Sequence, residues 1–489
     1  MTDLLHSLAR FDTFNVLVVG DFMLDEQVYG NAERLSPDAP VPVLQVERTE
    51  QTPGGASNVA MCLAGLGGKV QCVGVRGDDS AGRALVCELE AGGIDVSGLV
   101  VDASRPTTCK RSLIGLAQHR HPQKMFRLDH ESSAPLSPGI RDAVLQHIRE
   151  AIGSVDVICL EDYGKGVCDE ALIAGLVEAA TAAGVEVLVD PAGLSDFGRY
   201  RGCTAITPNR TEAERATASL PIEACPEIRG RHLQDVTGAT AVIMTLDRHG
   251  ALLLESGCEP CPVPTVPRDV YDVTGAGDMV LAAIAAGRAH GLSWQHSVQL
   301  ANAAAGLEVE VFGAQAVPLA RIRQEVLRTV SRVAGKVRDR DELVVELEGA
   351  RAAGQRIVLT NGCFDVIHAG HVAYLRDARA QGDLLVVGVN SDAQIAAMKG
   401  EGRPVFPLAE RLDILAELQC IDLLCVFEEP TAHDLIEAVR PDVYVKGGDY
   451  APEAIAEHDL VRSLGIELKV LVHRPGLSST DTIERLGED

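Results

Sequence analysis

At 489 residues the chain exceeds what one hydrophobic core usually supports, about 250–300 residues, so at least two domains are expected. A net charge of −26 excludes nucleic acid and anionic membrane as natural partners, and any site for phosphorylated substrates must be locally electropositive. The hydrophobic share of 46% is ordinary for a soluble globular protein, and the longest apolar stretches, around residues 279–286, are far short of the roughly 18 residues a membrane span requires.

The first residues, Met1-Thr-Asp-Leu-Leu-His6, show no basic segment leading into an apolar one, so no secretory signal is read and a cytoplasmic location is expected. Thirteen cysteines, odd in number and scattered through apolar runs, read as thiols of a reducing compartment. Asn15-Val-Leu-Val-Val-Gly20 has the pattern of a parallel strand buried on both faces. Ligands in open α/β sheets gather at the carboxyl ends of such strands, which makes Asp21 and Asp25 candidates for binding sugar hydroxyls. Pro53-Gly54-Gly55-Ala-Ser-Asn58 opens a helical run. Its two glycines permit close backbone contact, and Asn58 offers a polyol both a donor and an acceptor. Residues 39–47 and 107–114 read as strands, the first interrupted by prolines and therefore at an edge. From residue 155 the chain alternates strand and helix, with strands at 155–160, 185–190 and 241–246, which implies a parallel sheet with right-handed crossovers.

Asp272-Val-Thr-Gly-Ala-Gly-Asp278 places two glycines and an acid before the apolar run 279–286. A buried helix starting there aims free N–H groups and its positive dipole end at the loop, and Asp278 can take a proton from a hydroxyl attacking a phosphate. The string resembles the signature of the ribokinase-like (PfkB-type) sugar kinases, and Gly54-Gly55 with Asn58 matches that family's other signature. The resemblance implies that Asp278 is the catalytic base and that Gly275, Ala276 and Gly277 form the anion hole. It further implies ATP and Mg²⁺ at Asn209, Arg210, Thr211 and Glu212, with the carboxylate acting on the metal through water. No residue is assigned as a direct metal ligand. Asn302 opens a small-residue helix beside the adenine site. Asp162 and Lys165 stand where heptose kinases of the family carry Asp-Tyr-x-Lys-Gly. The strands at 39–47 and 107–114 become a small β lid over the sugar, of the kind that pairs two subunits, so a homodimer is expected. Arg111 and Arg127 are assigned to a phosphate already on the sugar, with Lys110 read as a solvent-facing lid charge. Family members often carry Lys where this chain has Ala192, which leaves one expected positive charge unassigned.

Residues 333–350, rich in charge, read as a linker between a kinase domain, 1–332, and a second domain, 351–489. There a strand runs into Asn361-Gly362-Cys-Phe364-Asp365-Val-Ile-His368-Ala-Gly-His371 and a helix. Two imidazoles at the positive end of a helix, with a glycine between them, make an anion site able to stabilise charge on an α-phosphate and a departing pyrophosphate. The string resembles the cytidylyltransferase-like nucleotidyltransferases, which implies a Rossmann-like domain. The resemblance extends in order through Asn390 and Asp392, Lys399 and Arg403, Lys446, Gly447 and Asp449, and the hydroxyl-rich turn at Ser479 and Thr480. Phe406 replaces an Asn common in the family.

Together the halves resemble the family of bifunctional enzymes that phosphorylate D-glycero-β-D-manno-heptose 7-phosphate and adenylylate heptose 1-phosphate. Sugar phosphates and ATP are then the small-molecule partners. Two alternatives stay open: the same reaction classes with another sugar phosphate or CTP, and a nucleotide-sugar binding protein with one silent half.

Overall fold

Phe14–Gly20 forms β1, buried at every position but Asn15, as expected of a strand read from an unbroken apolar run. The computed structural model describes residues 4, 7–8, 11–116, 122–265, 274–310, 316–400, 402–448 and 451–471. It divides into two units, Phe11–Ile322 and Arg323–Asp489, the latter together with Met1–Arg10.

The first unit continues with β2 (Phe22–Leu35), β3 (Pro42–Gly55), α1 (Ala56–Gly65), β4 (Gly68–Arg76), α2 (Ser80–Ala91), β5 (Asp95–Val101), β6 (Thr108–Leu116), β7 (Gln123–His130) and α3 (Pro138–Ala151). Then come β8 (Val157–Glu161), α4 (Glu170–Ala183), β9 (Glu186–Asp190), β10 (Ala205–Ile206), α5 (Arg210–Ala216), α6 (Pro226–Thr237), β11 (Ala241–Thr245), β12 (Ala251–Glu255), β13 (Cys261–Val263), α7 (Ala276–Ala289) and α8 (Trp294–Glu308), after which α9 (Leu319–Ala334) spans the division between the units. The main sheet has the order β13-β12-β11-β10-β9-β8-β1-β4-β5. It is parallel except for β12 and β13, which pair antiparallel at one edge. Cys258 and Cys261 fall at that hairpin, and both are free thiols.

A second, four-stranded sheet, β3-β2-β6-β7, is the expected lid, with the proline-interrupted strand at its edge. Its register decides which side chains face inward. Asp25 lies opposite Lys110, and Glu26 opposite Arg111. Because successive residues of a strand point to opposite faces, Lys110 shares a face with Asp25 and Arg111 does not.

The second unit contains β14 (Val337–Arg338), α10 (Arg340–Ala352), β15 (Ile357–Gly362), α11 (Ala369–Arg379), β16 (Leu384–Asn390), α12 (Asp392–Lys399), α13 (Leu408–Ala416), β17 (Leu423–Phe427), α14 (His433–Val439), β18 (Val443–Gly447), α15 (His458–Ser463) and β19 (Glu467–Leu471). Its six strands, β14-β17-β16-β15-β18-β19, are all parallel. Alternate residues of β15 feed separate cores, Ile357 and Leu359 one, Val358 the other. A strand filling both faces in this way reads as the continuous apolar run seen in the sequence.

The expected linker at 333–350 is corrected here. Val337–Arg338 pairs with β17, and α10 sends Leu343 and Leu347 into a core cluster. The charges that read as a solvated hinge are used in building the unit: Arg338 pairs with Glu346 at 2.8 Å, and Asp339 caps α10 through a reciprocal bond pair with Glu342.

Candidate active sites

α7 starts from Gly275, whose φ of 92° lies in the left-handed region that glycine enters without penalty. Asp278 is the third residue of the helix, with the following turns buried through Gly287. The N–H groups of Ala276 and Gly277 have no intrahelical acceptor and point out of the helix start. Asp278 itself is only 4% exposed. Its Oδ2 accepts from Asn58 Nδ2 at 2.7 Å and its Oδ1 from the Tyr163 hydroxyl at 3.2 Å. Burial pushes its carboxyl up to about 6, against the pull of those two donors.

Two more acids converge here from neighbouring strand ends. Glu161 and Asp190 are register partners of β8 and β9, and one ligand atom each from Glu161, Asp190 and Asp278 lies within 4.8 Å of the others. Burial first, then the charge of Asp190 on Glu161 and of Glu212 on Asp190, drives both carboxyls well above the usual range. Glu161 is 2% exposed, and its Oε2 has no hydrogen-bond partner. Buried oxygens of like charge with an orphaned acceptor fit a divalent cation.

The expected sugar ligands separate into two groups. Asp25 lies so close to Gly54 that a Cβ there would fall 2.6 Å from its carboxylate. Burial raises its pKa, opposed by Lys110, Arg127 and Lys124. Gly55 begins α1, which carries Asn58. Asp21, by contrast, holds a loop: its carboxylate accepts N–H bonds from Tyr163, Lys165 and Val167. Burial and the charge of Asp162 raise it to about 6 in spite of them. Asp162 accepts from the Tyr200 hydroxyl at 2.7 Å and from Gly164 N–H at 2.8 Å, and Lys165 pairs with Glu131 at 2.7 Å. Arg127 makes a two-pronged pair with Asp129. Arg111 pairs with Glu26, on the face away from Asp25, whereas the Lys110 ammonium lies 4.6 Å from the centre of the Tyr163 ring. Lys110, expected to face solvent, therefore shares the face of Asp25, and Arg111, expected at the sugar, lies on the other face, for the reason of register given above.

Asn209 and Glu212 form a reciprocal capping box at the start of α5. The Glu212 charge nevertheless acts on Asp190, so the cap also stands beside the acid cluster. Arg210 pairs with Asp247 at 3.3 Å, and Thr211 is exposed. Asn302 Nδ2 donates to the Val263 carbonyl at 2.9 Å, tying α8 to β13.

In the second unit His368 caps α11, its Nδ1 accepting from Gly370 N–H at 3.1 Å. The neutral ring therefore carries its proton on Nε2. The His371 ring lies 4.1 Å from it, centre to centre, and Phe364 meets His371 edge-on at 5.6 Å. Phe364 adopts φ 46°, an uncommon backbone for a bulky residue, and its ring sits 3.1 Å from where a Gly362 Cβ would stand. Asn361 accepts from the Tyr444 hydroxyl at 2.7 Å. Asp365 lies 2.7 Å from Arg403 and accepts from Val405 N–H at 2.6 Å. Asn390 donates to Gln394 at 2.9 Å. Asp392 accepts from Arg411 at 2.6 Å, and the fully buried Arg411 also donates to the carbonyls of Cys363 and Phe406. Position 406 thus contributes its backbone to the site's frame. Lys399 is exposed at the end of α12. Lys446 faces Glu457 at 3.6 Å, its pKa lowered by burial against that carboxylate, and Gly447 leaves room for the Tyr374 ring. Asp449, Ser479 and Thr480, like Asp272 and Val273, lie outside the described residues.

Residues 13–320 match the family model of the pfkB family carbohydrate kinases, and residues 359–485 match the cytidylyltransferase-like family. The bifunctional protein HldE of Pelobacter propionicus is 43% identical over 481 residues, covering 98% of this chain and 97% of its own. The chain belongs to the HldE family. The HldE protein of Azotobacter vinelandii is 41% identical over 480 residues, with 98% of each chain covered. Among solved structures, Escherichia coli phosphofructokinase-2 in complex with potassium superposes with a TM-score of 0.52 at 18% identity, over 65% of this chain and 99% of its own. A ribokinase from Thermotoga maritima gives 0.50 at 21%, over 64% and 99%. Both likenesses concern the fold alone.

Within this HldE chain, sequence reasoning passed over Glu161, Asp190, Tyr163 and Arg411. The strand-end rule that picked out Asp21 applies equally to β8 and β9 and could have found the first two. Tyr163 stands inside the Asp-Tyr-x-Lys-Gly string. Nothing local marks Arg411, whose partners are distant in sequence.

Proposed function

We propose that the protein is a two-site enzyme of ADP-heptose biosynthesis. The first unit transfers the γ-phosphoryl group of ATP to O1 of D-glycero-β-D-manno-heptose 7-phosphate, giving the 1,7-bisphosphate. The second joins heptose 1-phosphate to the adenylyl group of ATP, giving ADP-heptose and pyrophosphate. The observation that carries this reading is the buried Asp278 at the free N-terminus of α7, with two donors fixing its carboxylate. Its raised pKa suits a base that is ionised at neutral pH and ready to accept a proton.

As O1 bonds to the γ-phosphorus, the bond to the β–γ bridging oxygen breaks, ADP leaves, and the hydroxyl proton passes to Asp278. The N–H groups of Ala276 and Gly277 balance charge on the transferring group. Glu161 and Asp190, with Glu212 through water, are the residues to hold Mg²⁺. Bound there, Mg²⁺ neutralises phosphate charge. Asp25, held against Gly54, takes sugar hydroxyls, and Lys110 supplies positive charge on the same side of the lid.

In the second unit a phosphate oxygen of heptose 1-phosphate attacks the α-phosphorus of ATP and pyrophosphate departs. The phosphate is already ionised, so no protein base is needed. His368 Nε2–H, His371 and the start of α11 stabilise the added charge, with Lys399 and Arg403 supplying further cations.

A second copy of the chain is proposed to cover the outer face of the lid. Phe126, opposite Leu113, and Leu128, opposite Arg111, share the face turned from Asp25, and Phe126 is 67% exposed. The cytoplasm is the proposed compartment, consistent with thirteen free cysteines and with no helix among the described residues long and apolar enough to cross a membrane.

The test is to incubate the protein with ATP, Mg²⁺ and a panel of sugar 7-, 6- and 1-phosphates, CTP replacing ATP in parallel, and to read products by mass. Asp278→Asn should stop bisphosphate formation and spare adenylyl transfer, and His371→Ala should do the reverse. Turnover of a different sugar phosphate in preference to the heptose would overturn the substrate assignment.

A further inference from the structure

The segment joining β8 to α4 has its main chain fixed by two buried acids. Asp21 accepts N–H bonds from Tyr163 at 2.8 Å and Lys165 at 3.0 Å, and Asp162 accepts the N–H of Gly164 at 2.8 Å. With the backbone so held, the Tyr163 side chain lies between the kinase base and the lid. Its hydroxyl is 3.2 Å from Asp278 Oδ1, and the Lys110 ammonium of β6 stands 4.6 Å from its ring centre. The residue is 37% exposed, too open for a ring whose task is only to fill the core.

We infer that Tyr163 is a positioning residue for the phosphoryl transfer: its phenol fixes the aim of the Asp278 carboxylate, and its ring seats the lid cation Lys110. A carboxylate turns with little resistance about its last torsion. Asn58, bound to Oδ2, leaves Asp278 free to swing about that one contact, and a second donor on Oδ1 stops the swing. Because an ionised carboxylate only accepts, the phenol proton must point at it. The remaining lone pairs then face the place where a hydroxyl can approach. The ring offers its face to Lys110, a favourable cation–π contact. Lid cation and base are thus referred to one rigid side chain.

This inference rests on Asp278 being the base, so Tyr163→Phe, Tyr163→Ala and Asp278→Asn are assayed together in the full chain with ATP and heptose 7-phosphate. Tyr163→Phe should lower kcat roughly tenfold or more, the scale of a misdirected reacting group, with both KM values within about twofold of wild type. Tyr163→Ala should lower kcat as much and also raise the sugar-phosphate KM severalfold, since Lys110 loses its seat. Wild-type kcat in Tyr163→Phe overturns the inference. So does a raised sugar KM at unchanged kcat, which would make the phenol a substrate contact. Turnover retained by Asp278→Asn sinks the base assignment instead, and an inactive Asp278→Asn beside a fully active Tyr163→Phe sinks only the role of Tyr163. Thermal unfolding of each variant separates misfolding from misaiming, and if Tyr163→Ala does not fold, the phenylalanine variant decides alone.

Discussion

Asp365 and Arg403 face each other at 2.7 Å, the carboxylate fully buried and the guanidinium 18% exposed. The same carboxylate accepts the N–H of Val405, so one acid holds two residues, 403 and 405, of the segment assigned to the triphosphate. Arg403 is thereby held in place before any nucleotide arrives, and less ordering is left for binding to bear.

Removing that acid should separate stability from affinity. Asp365→Asn keeps an acceptor for Val405 but leaves Arg403 mostly buried without a counter-charge, a loss of about 3 kcal/mol for a broken buried pair. Urea unfolding of the second unit should show it. The KM for ATP in adenylyl transfer should rise about tenfold, equivalent to roughly 1.4 kcal/mol. An unchanged KM would mean that Arg403 does not meet the triphosphate.

Asp278→Asn should make the first unit more stable while stopping its chemistry. The native carboxyl is raised from 3.8 to about 6 by burial, so keeping it ionised at neutral pH costs roughly 3 kcal/mol at about 1.4 kcal/mol per pKa unit. Asparagine has no such cost and can still accept from Asn58. We expect kinase kcat to fall by a factor of about 10² to 10⁴, with a higher thermal midpoint at pH 7.5. A lower midpoint would show that the charge is compensated by something other than its two hydrogen bonds.

The pH dependence follows with the same sign. With Asp278 as the proposed base, phosphoryl transfer needs it ionised, so the kinase kcat/KM should be flat near neutrality and fall about tenfold per unit once the pH drops below about 6. Stability should move the other way. The carboxyls of Asp21 and Asp278 both stand at about 6 in the fold against 3.8, so the native state takes up these protons first as the pH falls. Their contribution to stability is therefore full below 3.8 and is lost as the pH rises through about 6. Unfolding curves at pH 7 and pH 5 should show the first unit gaining stability from these two groups on acidification, and loss of that gain in Asp21→Asn assigns its share.

What could be read from the chain was whatever repeats locally. The apolar runs at β1, β8, β9 and β15 announce strands buried on both faces, and glycine before an acid at a helix start announces an anion site. The inward face of the lid was not readable, because it depends on Asp25 pairing with Lys110 across 85 residues of chain, and a shift of one residue exchanges Lys110 with Arg111. The segment 333–350 reads as a linker because eight charged residues surround Leu343 and Leu347, whose burial appears only once α10 meets its sheet. Asn209 and Glu212 show that two readings of one motif can coexist: they cap a helix and also set a carboxylate beside Asp190.

Gly54→Ala tests how closely the lid strand holds its acid. The new methyl would stand 2.6 Å from Asp25 Oδ2, and the cheapest relief is rotation of the Asp25 side chain rather than movement of backbone. Stability should change by less than about 1 kcal/mol, whereas the KM for the sugar phosphate should rise at least about tenfold with the KM for ATP unchanged. Equal losses toward both substrates would show that the strand itself had shifted.

Lys110 and Arg111 are neighbours in sequence with opposite outlooks, and their alanine variants should diverge. Lys110 shares a face with Asp25 and lies over Tyr163, so Lys110→Ala should raise the KM for a phosphorylated sugar far more than for the same sugar without its phosphate. Arg111 instead neutralises Glu26, a residue 8% exposed, on the face that carries Phe126 and Leu128. Its removal leaves a buried carboxylate with the Gln51 amide but no counter-charge, which should loosen the lid sheet and weaken any association of two copies through that face. The sugar KM should stay within about twofold, because a contact turned away from the pocket contributes little to substrate binding. Analytical ultracentrifugation of both variants, beside initial rates with the phosphorylated and unphosphorylated sugar, separates the two roles. A sugar defect in Arg111→Ala at unchanged association state would restore Arg111 to the pocket and with it the opposite register of the lid.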